Sequence, residues 1–177
     1  MEGRDGRKRC LAYLAVGLAM VLGSGLDGSS AETNGPAAPL ARLRDSRTRT
    51  ALVQAIEGAG RRLDNRRCQA LLTTFADAEG RPLQEALDAQ GLAASNYLGR
   101  IFFYDGQAST CGATRLAYTE PGSRAVFVCG RRFWMVWREN AAYAECAVIH
   151  EALHSLGLGE NPPTWEEITA RVLEACR

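Results

Sequence analysis

Both histidines of this 177-residue chain, His150 and His154, lie in one short apolar stretch with Glu151 between them. Small and apolar residues recur through residues 140–156 at helical spacing, which predicts a single helix. Two glycines follow this stretch, and two prolines at 162 and 163 prevent its continuation, so the helix must end near residue 157. Residues four apart on a helix share a face, so both imidazoles are expected on one side.

Two imidazoles on one helical turn are close enough to share a metal ion. A zinc ion with three protein ligands and one open position lowers the pKa of its bound water towards neutrality. Glu151 then lies where it can act as the general base. The spacing H-E-x-x-H therefore predicts that His150 and His154 bind Zn2+ and that Glu151 is catalytic. The alternative is a pair of surface histidines beside an ordinary helical glutamate.

The run His150–Glu160, H-E-A-L-H-S-L-G-L-G-E, resembles the zincin metallopeptidases and their extended metzincin pattern H-E-x-x-H-x-x-G-x-x-H/D. This resemblance implies that Gly157 turns the chain out of the helix and that Glu160 is the third zinc ligand. The H-E-x-L-H core followed by Gly-Glu-Asn-Pro-Pro is also similar to small exported bacterial proteins. The resemblance covers residues 142–167.

The chain departs from the metzincin pattern in two ways. Metzincins typically have His or Asp where this chain has Glu160, and they have a methionine turn after the motif. All three methionines precede it here, and only seventeen residues follow Glu160. Gluzincins instead take a glutamate from a later helix, so Glu167 and Glu174 are alternative third ligands, with Glu166 a further candidate. Each of these four glutamates can equally be a solvated surface carboxylate.

Other residues near the motif each allow two interpretations of their role. Cys146, one turn before His150, is either a fourth ligand that closes the site or a buried thiol. Tyr118 and Tyr143 are either oxyanion donors or ordinary tyrosines. Phe133 and the neighbouring tryptophans are expected in the core or the cleft wall. Residues 124–129 form either an edge strand that pairs with an extended substrate or an ordinary hairpin strand.

The N-terminus has the features of a secretory signal peptide. Basic residues precede an apolar run at residues 11–22, and small residues at 29–31 provide a cleavage site. We therefore predict a signal peptide at residues 1–31, a flexible lead-in at 32–45 and one zincin-like catalytic domain at 46–177. The mature chain would be secreted or periplasmic, with no stable membrane insertion.

Five cysteines remain after cleavage, and an exported chain meets oxidising conditions in which disulfides form. We predict the pairs Cys111–Cys129 and Cys68–Cys176, although connectivity cannot be derived from sequence alone. An odd number leaves at least one thiol unpaired or joined to another chain. No C-x-x-C pair is present, which argues against a zinc ribbon or a thioredoxin-like centre.

The remaining patterns indicate an α+β fold, a small antiparallel sheet packed on helices. Helices are predicted at residues 46–64, 82–89 and 164–175, and residues 68–76 fit either a helix or a strand. Strands are predicted at residues 100–104, 114–119 and 124–129. The last two flank Glu-Pro-Gly-Ser, a type II turn signature, and should form a hairpin.

The composition of the chain limits the classes of partner that it is expected to bind. The formal net charge is +1, with no basic tract of the kind that binds nucleic acid. Together with the motif, this predicts a secreted zinc metallopeptidase acting on a peptide or protein substrate. A zinc amidase acting on cell-wall or small amide substrates would use the same chemistry. A zincin-like binding or structural module without turnover is the alternative from another class, and the oligomeric state is not predicted.

Overall fold

The computed structural model describes residues 39–177. The predicted signal peptide and the first part of the predicted lead-in lie outside these residues. The described part of the lead-in contains a strand, β1 (Leu40–Arg42).

Within the described residues, four helices lie between β1 and the next strand, one lies within the later sheet segments, and three follow the last strand. They are α1 (Ser46–Leu63), α2 (Arg66–Thr74), α3 (Leu83–Asp88), α4 (Ala94–Tyr97), α5 (Ala108–Cys111), α6 (Gly130–Glu139), α7 (Ala141–Ser155) and α8 (Trp165–Cys176), with a 3-10 turn at Leu98–Arg100.

The four predicted helices correspond to α1, α3, α7 and α8. Helix α1 begins one residue after its cap, Asp45, whose carboxylate accepts a hydrogen bond from the Thr48 backbone N–H at 2.8 Å. Ser46 is the first helical residue, as the predicted bounds of this helix require. The undecided segment 68–76 belongs to the helix α2, and Phe133 is buried in the core as predicted. Helix α6 was not predicted.

The sheet has four strands in the order β1-β2-β4-β3, where β2 is Phe102–Asp105, β3 is Ala117–Tyr118 and β4 is Ala125–Val128. The predicted α+β class is confirmed, but the sheet is mixed. Only β3 and β4 pair antiparallel, across the predicted hairpin, whereas β1 with β2 and β2 with β4 are parallel. Parallel neighbours need a long crossover, and the helices α1 to α4 supply the one between β1 and β2.

Of the two alternatives for residues 124–129, the position of β4 confirms the hairpin strand and contradicts the edge strand. β4 is hydrogen-bonded on both sides, to β2 and to β3, so it has no free edge. The edge on this side is β3. The turn between them has Gly122 at φ +77°, the left-handed conformation that a type II turn requires at its third position.

Helix α7 lies at the centre of the helical layer, in contact with α1, α6, α8, β3 and β4. It buries apolar side chains on several sides, among them Val148, Ile149 and Leu153. Packing of this kind contributes about 25 cal/mol per Å² of apolar surface and holds the helix rigidly in place. The residues that α7 presents to the cleft are therefore carried on a helix that is packed on several sides.

Two disulfides join distant segments, Cys68 to Cys176 and Cys111 to Cys129, as predicted. Cys146 is the free cysteine of the described residues, and it is buried. Two disulfides in a chain of this size are typical of an oxidising, extracellular environment. Within residues 39–177, no helix is both long enough and apolar enough to cross a membrane.

Candidate metal centre

Helix α7 ends in a Schellman motif that sends the chain back beside its last turn. The Gly157 N–H donates to the His154 carbonyl at 2.8 Å, and the Leu158 N–H donates to the Leu153 carbonyl at 3.1 Å. Gly157 has φ +114°, and a Cβ there would lie 3.1 Å from the Cβ of Asp77. Glycine is therefore required at this turn on both conformational and steric grounds.

The turn brings Glu160 to the two imidazoles of α7. The Nε2 atoms of His150 and His154 are 2.9 Å apart, and Oε1 of Glu160 lies 3.3 Å from Nε2 of His154. One donor atom from each of these residues lies within 4.8 Å of the other two. The group of His150, His154 and Glu160 can bind a metal ion, and the three residues are the ones predicted from sequence.

Two of the three distances between candidate ligand atoms are close to those around a small tetrahedral ion. Ligands about 2.0–2.1 Å from such an ion lie about 3.3 Å from one another. The distance from Glu160 to His154 matches this value, and the separation of the two nitrogens, 2.9 Å, is within a few tenths of an ångström.

Hydrogen bonds at the second ring nitrogens orient both histidines. Nδ1 of His154 lies 2.7 Å from the carbonyl oxygen of Leu158, which can only accept, so this nitrogen holds the hydrogen. Nδ1 of His150 lies 3.1 Å from the hydroxyl of Thr169 on α8. In both rings Nε2 is left to face the ligand position, the arrangement found around protein-bound metals.

Burial keeps the imidazole of His150 neutral. Removal from water, and to a lesser extent the neighbouring His154, lowers the pKa of His150 to about 3. A neutral imidazole carries the lone pair that a metal requires, so this nitrogen needs no deprotonation near neutral pH.

Glu151 is a buried carboxyl group without a partner. Its residue exposure is 7%, and its Oε2 makes no hydrogen bond to any described residue. Burial, together with the negative charge of Glu160, raises the pKa of Glu151 to about 8, and Arg115 acts in the opposite direction. A cation bound by the adjacent histidines would favour the ionised form. Buried and unpartnered ionisable groups of this kind are concentrated at functional sites.

The other predicted ligands do not reach the group. Glu167 accepts a hydrogen bond from the Thr164 backbone N–H at 2.9 Å and closes the capping box of α8. Glu174 lies 3.5 Å from Arg67 in an exposed ion pair. Glu166, in the first turn of α8, and Cys146 are also outside the group.

The group opens into a cleft of about 900 Å³ between the β3–β4 hairpin and α8. Tyr118 and Tyr143 both line it, and the Tyr118 hydroxyl accepts a hydrogen bond from the Gln107 backbone N–H at 3.2 Å. The lining residues that sequence reasoning missed include Arg115 and Thr169. No local pattern marks them, because each reaches the cleft only through the tertiary fold.

The hairpin is attached directly to the end of the metal-site helix. The N–H of Gly122, in the β3–β4 turn, donates to the carbonyl of His154 at 2.9 Å. This hydrogen bond fixes the position of the hairpin, which forms one wall of the cleft, relative to the two histidines.

The chain matches no protein-family model, no curated protein and no solved structure. The resemblance to zincins therefore rests on the residues of the motif alone.

Proposed function

We propose that this chain is a zinc-dependent hydrolase that acts on peptide bonds. The observation that carries the proposal is a single cleft that contains both a candidate metal-binding group and a buried acid. His150, His154 and Glu160 converge there, and the buried, unpartnered Glu151 lies beside them.

His150, His154 and Glu160 would hold the ion, a donor set of two imidazoles and one carboxylate that suits zinc. Bound there, zinc would polarise the scissile carbonyl and lower the pKa of the attacking water. Glu151 would take a proton from this water at its carboxylate and later deliver it to the leaving amine. Proton transfer by a positioned carboxylate contributes about 10²–10⁴-fold to the rate.

Two observations bear on the alternatives. Cys146 lies outside the donor group, so a thiolate that closes the site is disfavoured relative to an open, catalytic position. At about 900 Å³ the cleft has room for a substrate larger than a small amide, which favours a peptide. An amidase acting on cell-wall peptides would use the same residues, and matched substrates would separate the two activities.

We further propose that the chain is exported through its N-terminal signal peptide and works outside the cytoplasm. The two disulfides support an oxidising destination. N-terminal sequencing of the protein recovered from the periplasm or medium would locate the cleavage site, which we expect after residue 31.

The proposed function is tested first by metal content. We expect about one zinc per chain by mass spectrometry. His154→Ala should lose it and Glu160→Ala should weaken it, whereas Glu174→Ala, which removes an exposed glutamate far from the group, should not. Absence of zinc after reloading would remove the proposal.

Turnover provides the second test. Glu151→Gln should retain zinc and lose about 10²–10⁴-fold in peptide hydrolysis, because the amide cannot accept the proton. Full turnover in this variant would contradict the role given to Glu151.

A further inference from the structure

Helix α8 approaches the metal group through a single side chain. The hydroxyl oxygen of Thr169 lies 3.1 Å from Nδ1 of His150, and Thr169 makes no other side-chain hydrogen bond within the described residues. Its neighbours Ile168 and Val172 are buried in the core, which fixes the rotation of α8 and thus the direction of Thr169. The contact joins residues nineteen positions apart in the chain.

The Thr169 hydroxyl can donate to or accept from Nδ1 of His150, so the requirement that His150 bind a metal selects between its two tautomers. In His154, the Leu158 carbonyl holds the hydrogen on Nδ1 and leaves a lone pair on Nε2. The Nε2 atom of His150 faces that lone pair at 2.9 Å. Two lone pairs at this distance repel each other unless a cation lies between them. For His150 to serve as a ligand through Nε2, its Nδ1 must hold the hydrogen and donate it to Thr169.

We infer that Thr169 is a positioning residue of the metal site, which orients His150 by accepting a hydrogen bond from its Nδ1–H. The inference rests on the proposed function, since it assumes that His150 binds a metal. Helix α8 then supplies no ligand, although its glutamates are the candidates that the sequence offers. It supplies instead the Thr169 hydroxyl, which orients the ligand His150.

Zinc affinity tests this inference in the full protein. Thr169→Val keeps the shape of the side chain and removes the hydroxyl, so we expect zinc to bind about 10–100-fold more weakly in competition with a chelator. Thr169→Ser restores the hydroxyl and should bind within about threefold of the wild type. Thr73→Val is the matched control, because the Thr73 hydroxyl bonds only to the Ala70 carbonyl on α2.

A spectroscopic readout separates orientation from general loss of structure. In the zinc-loaded wild type, nitrogen NMR should place the hydrogen of His150 on Nδ1, and this signal should shift or broaden in Thr169→Val only. A purely structural role would lower the unfolding midpoint of Thr169→Val while leaving its zinc affinity unchanged.

The outcomes distinguish the two proposals. If wild-type protein binds zinc and Thr169→Val binds it equally well, only the positioning role is overturned. The same conclusion follows if Thr169→Ser binds zinc as weakly as Thr169→Val. If wild-type protein binds no zinc, the proposed function and the positioning role fall together.

Discussion

Helix α7 carries two largely buried glutamates, Glu145 and Glu151, whose surroundings differ in kind. Glu145 accepts a hydrogen bond from Nε of Arg62 at 2.6 Å, and the same guanidinium donates to the carbonyl of Cys176 at 2.6 Å. Glu151 is also buried, but its Oε2 has no partner among the described residues. A buried carboxylate with a cation holds the fold together, whereas one without a partner lowers stability and is retained for chemistry.

The surroundings of the two glutamates extend this difference to the two ends of α7. Around Glu145, the ion pair with Arg62 joins α1 to α7, and the Cys68–Cys176 disulfide joins α2 to the end of α8. Gly58 on α1 allows the approach, since a Cβ there would overlap the Glu145 carboxylate. The other end opens into the cleft. The ion pair and the disulfide thus lie at the end of the helix away from the candidate metal centre.

The largest expected effect is a pair of opposite changes in stability. In metal-free protein at pH 8, Glu145→Gln should lower the free energy of unfolding by about 1–3 kcal/mol, because it leaves Arg62 without its carboxylate. Glu151→Gln should raise it by about 1–3 kcal/mol, because it removes an unpartnered buried acid. Chemical denaturation of both variants and the wild type measures the difference. Changes of the same sign in the two variants would contradict the contrast drawn between Glu145 and Glu151.

The second effect is a pH dependence of the stability of the metal-free protein. The pKa of Glu151 is raised from 4.5 to about 8, so its contribution to stability is lost as the pH rises through this range. The pKa of His150 is lowered from 6.5 to about 3, so its contribution is lost as the pH falls through that range. The two slopes cancel where the ranges overlap, between 4.5 and 6.5.

We therefore expect a plateau of stability in the overlap and a decrease of about 2 kcal/mol between pH 6.5 and 8. Denaturation midpoints measured across pH check this shape. The decrease above pH 6.5 should disappear in Glu151→Gln and persist in Glu145→Gln. A decrease that survives in Glu151→Gln would show that another group is responsible.

The smallest expected effect concerns the turn that delivers Glu160. Gly157→Ala should lower the free energy of unfolding by about 1–2 kcal/mol, because alanine is strained at positive φ. The new Cβ also crowds Asp77, so Glu160 should shift and zinc should bind more weakly. Gly159→Ala is the control, since a Cβ there meets nothing within 4 Å. Equal zinc affinity in both variants would show that the conformation of this turn does not affect metal binding.

Local patterns in the sequence were sufficient for much of this structure. Helical spacing and the flanking glycines and prolines predicted α7, and the helix predicted at residues 164–175 corresponds to α8. The Pro-Gly turn predicted the β3–β4 hairpin. Helical spacing predicted the pairing of His150 with His154, whereas Glu160 was implied by the resemblance to the metzincin pattern. A helical turn and one glycine turn bring all three together within eleven residues.

The features that only the tertiary structure decided depend on contacts between residues far apart in the chain. Leu40 of β1 pairs with Phe102 of β2, so a strand formed where the sequence indicated only a flexible lead-in, and β4 became a central strand. The role of Thr169 and the perturbed pKa of Glu151 likewise arise from burial by other elements. The sequence by itself determined which residues can carry the chemistry, because their spacing is local. Their orientation and protonation were decided by packing, because burial and hydrogen bonding depend on the assembled fold.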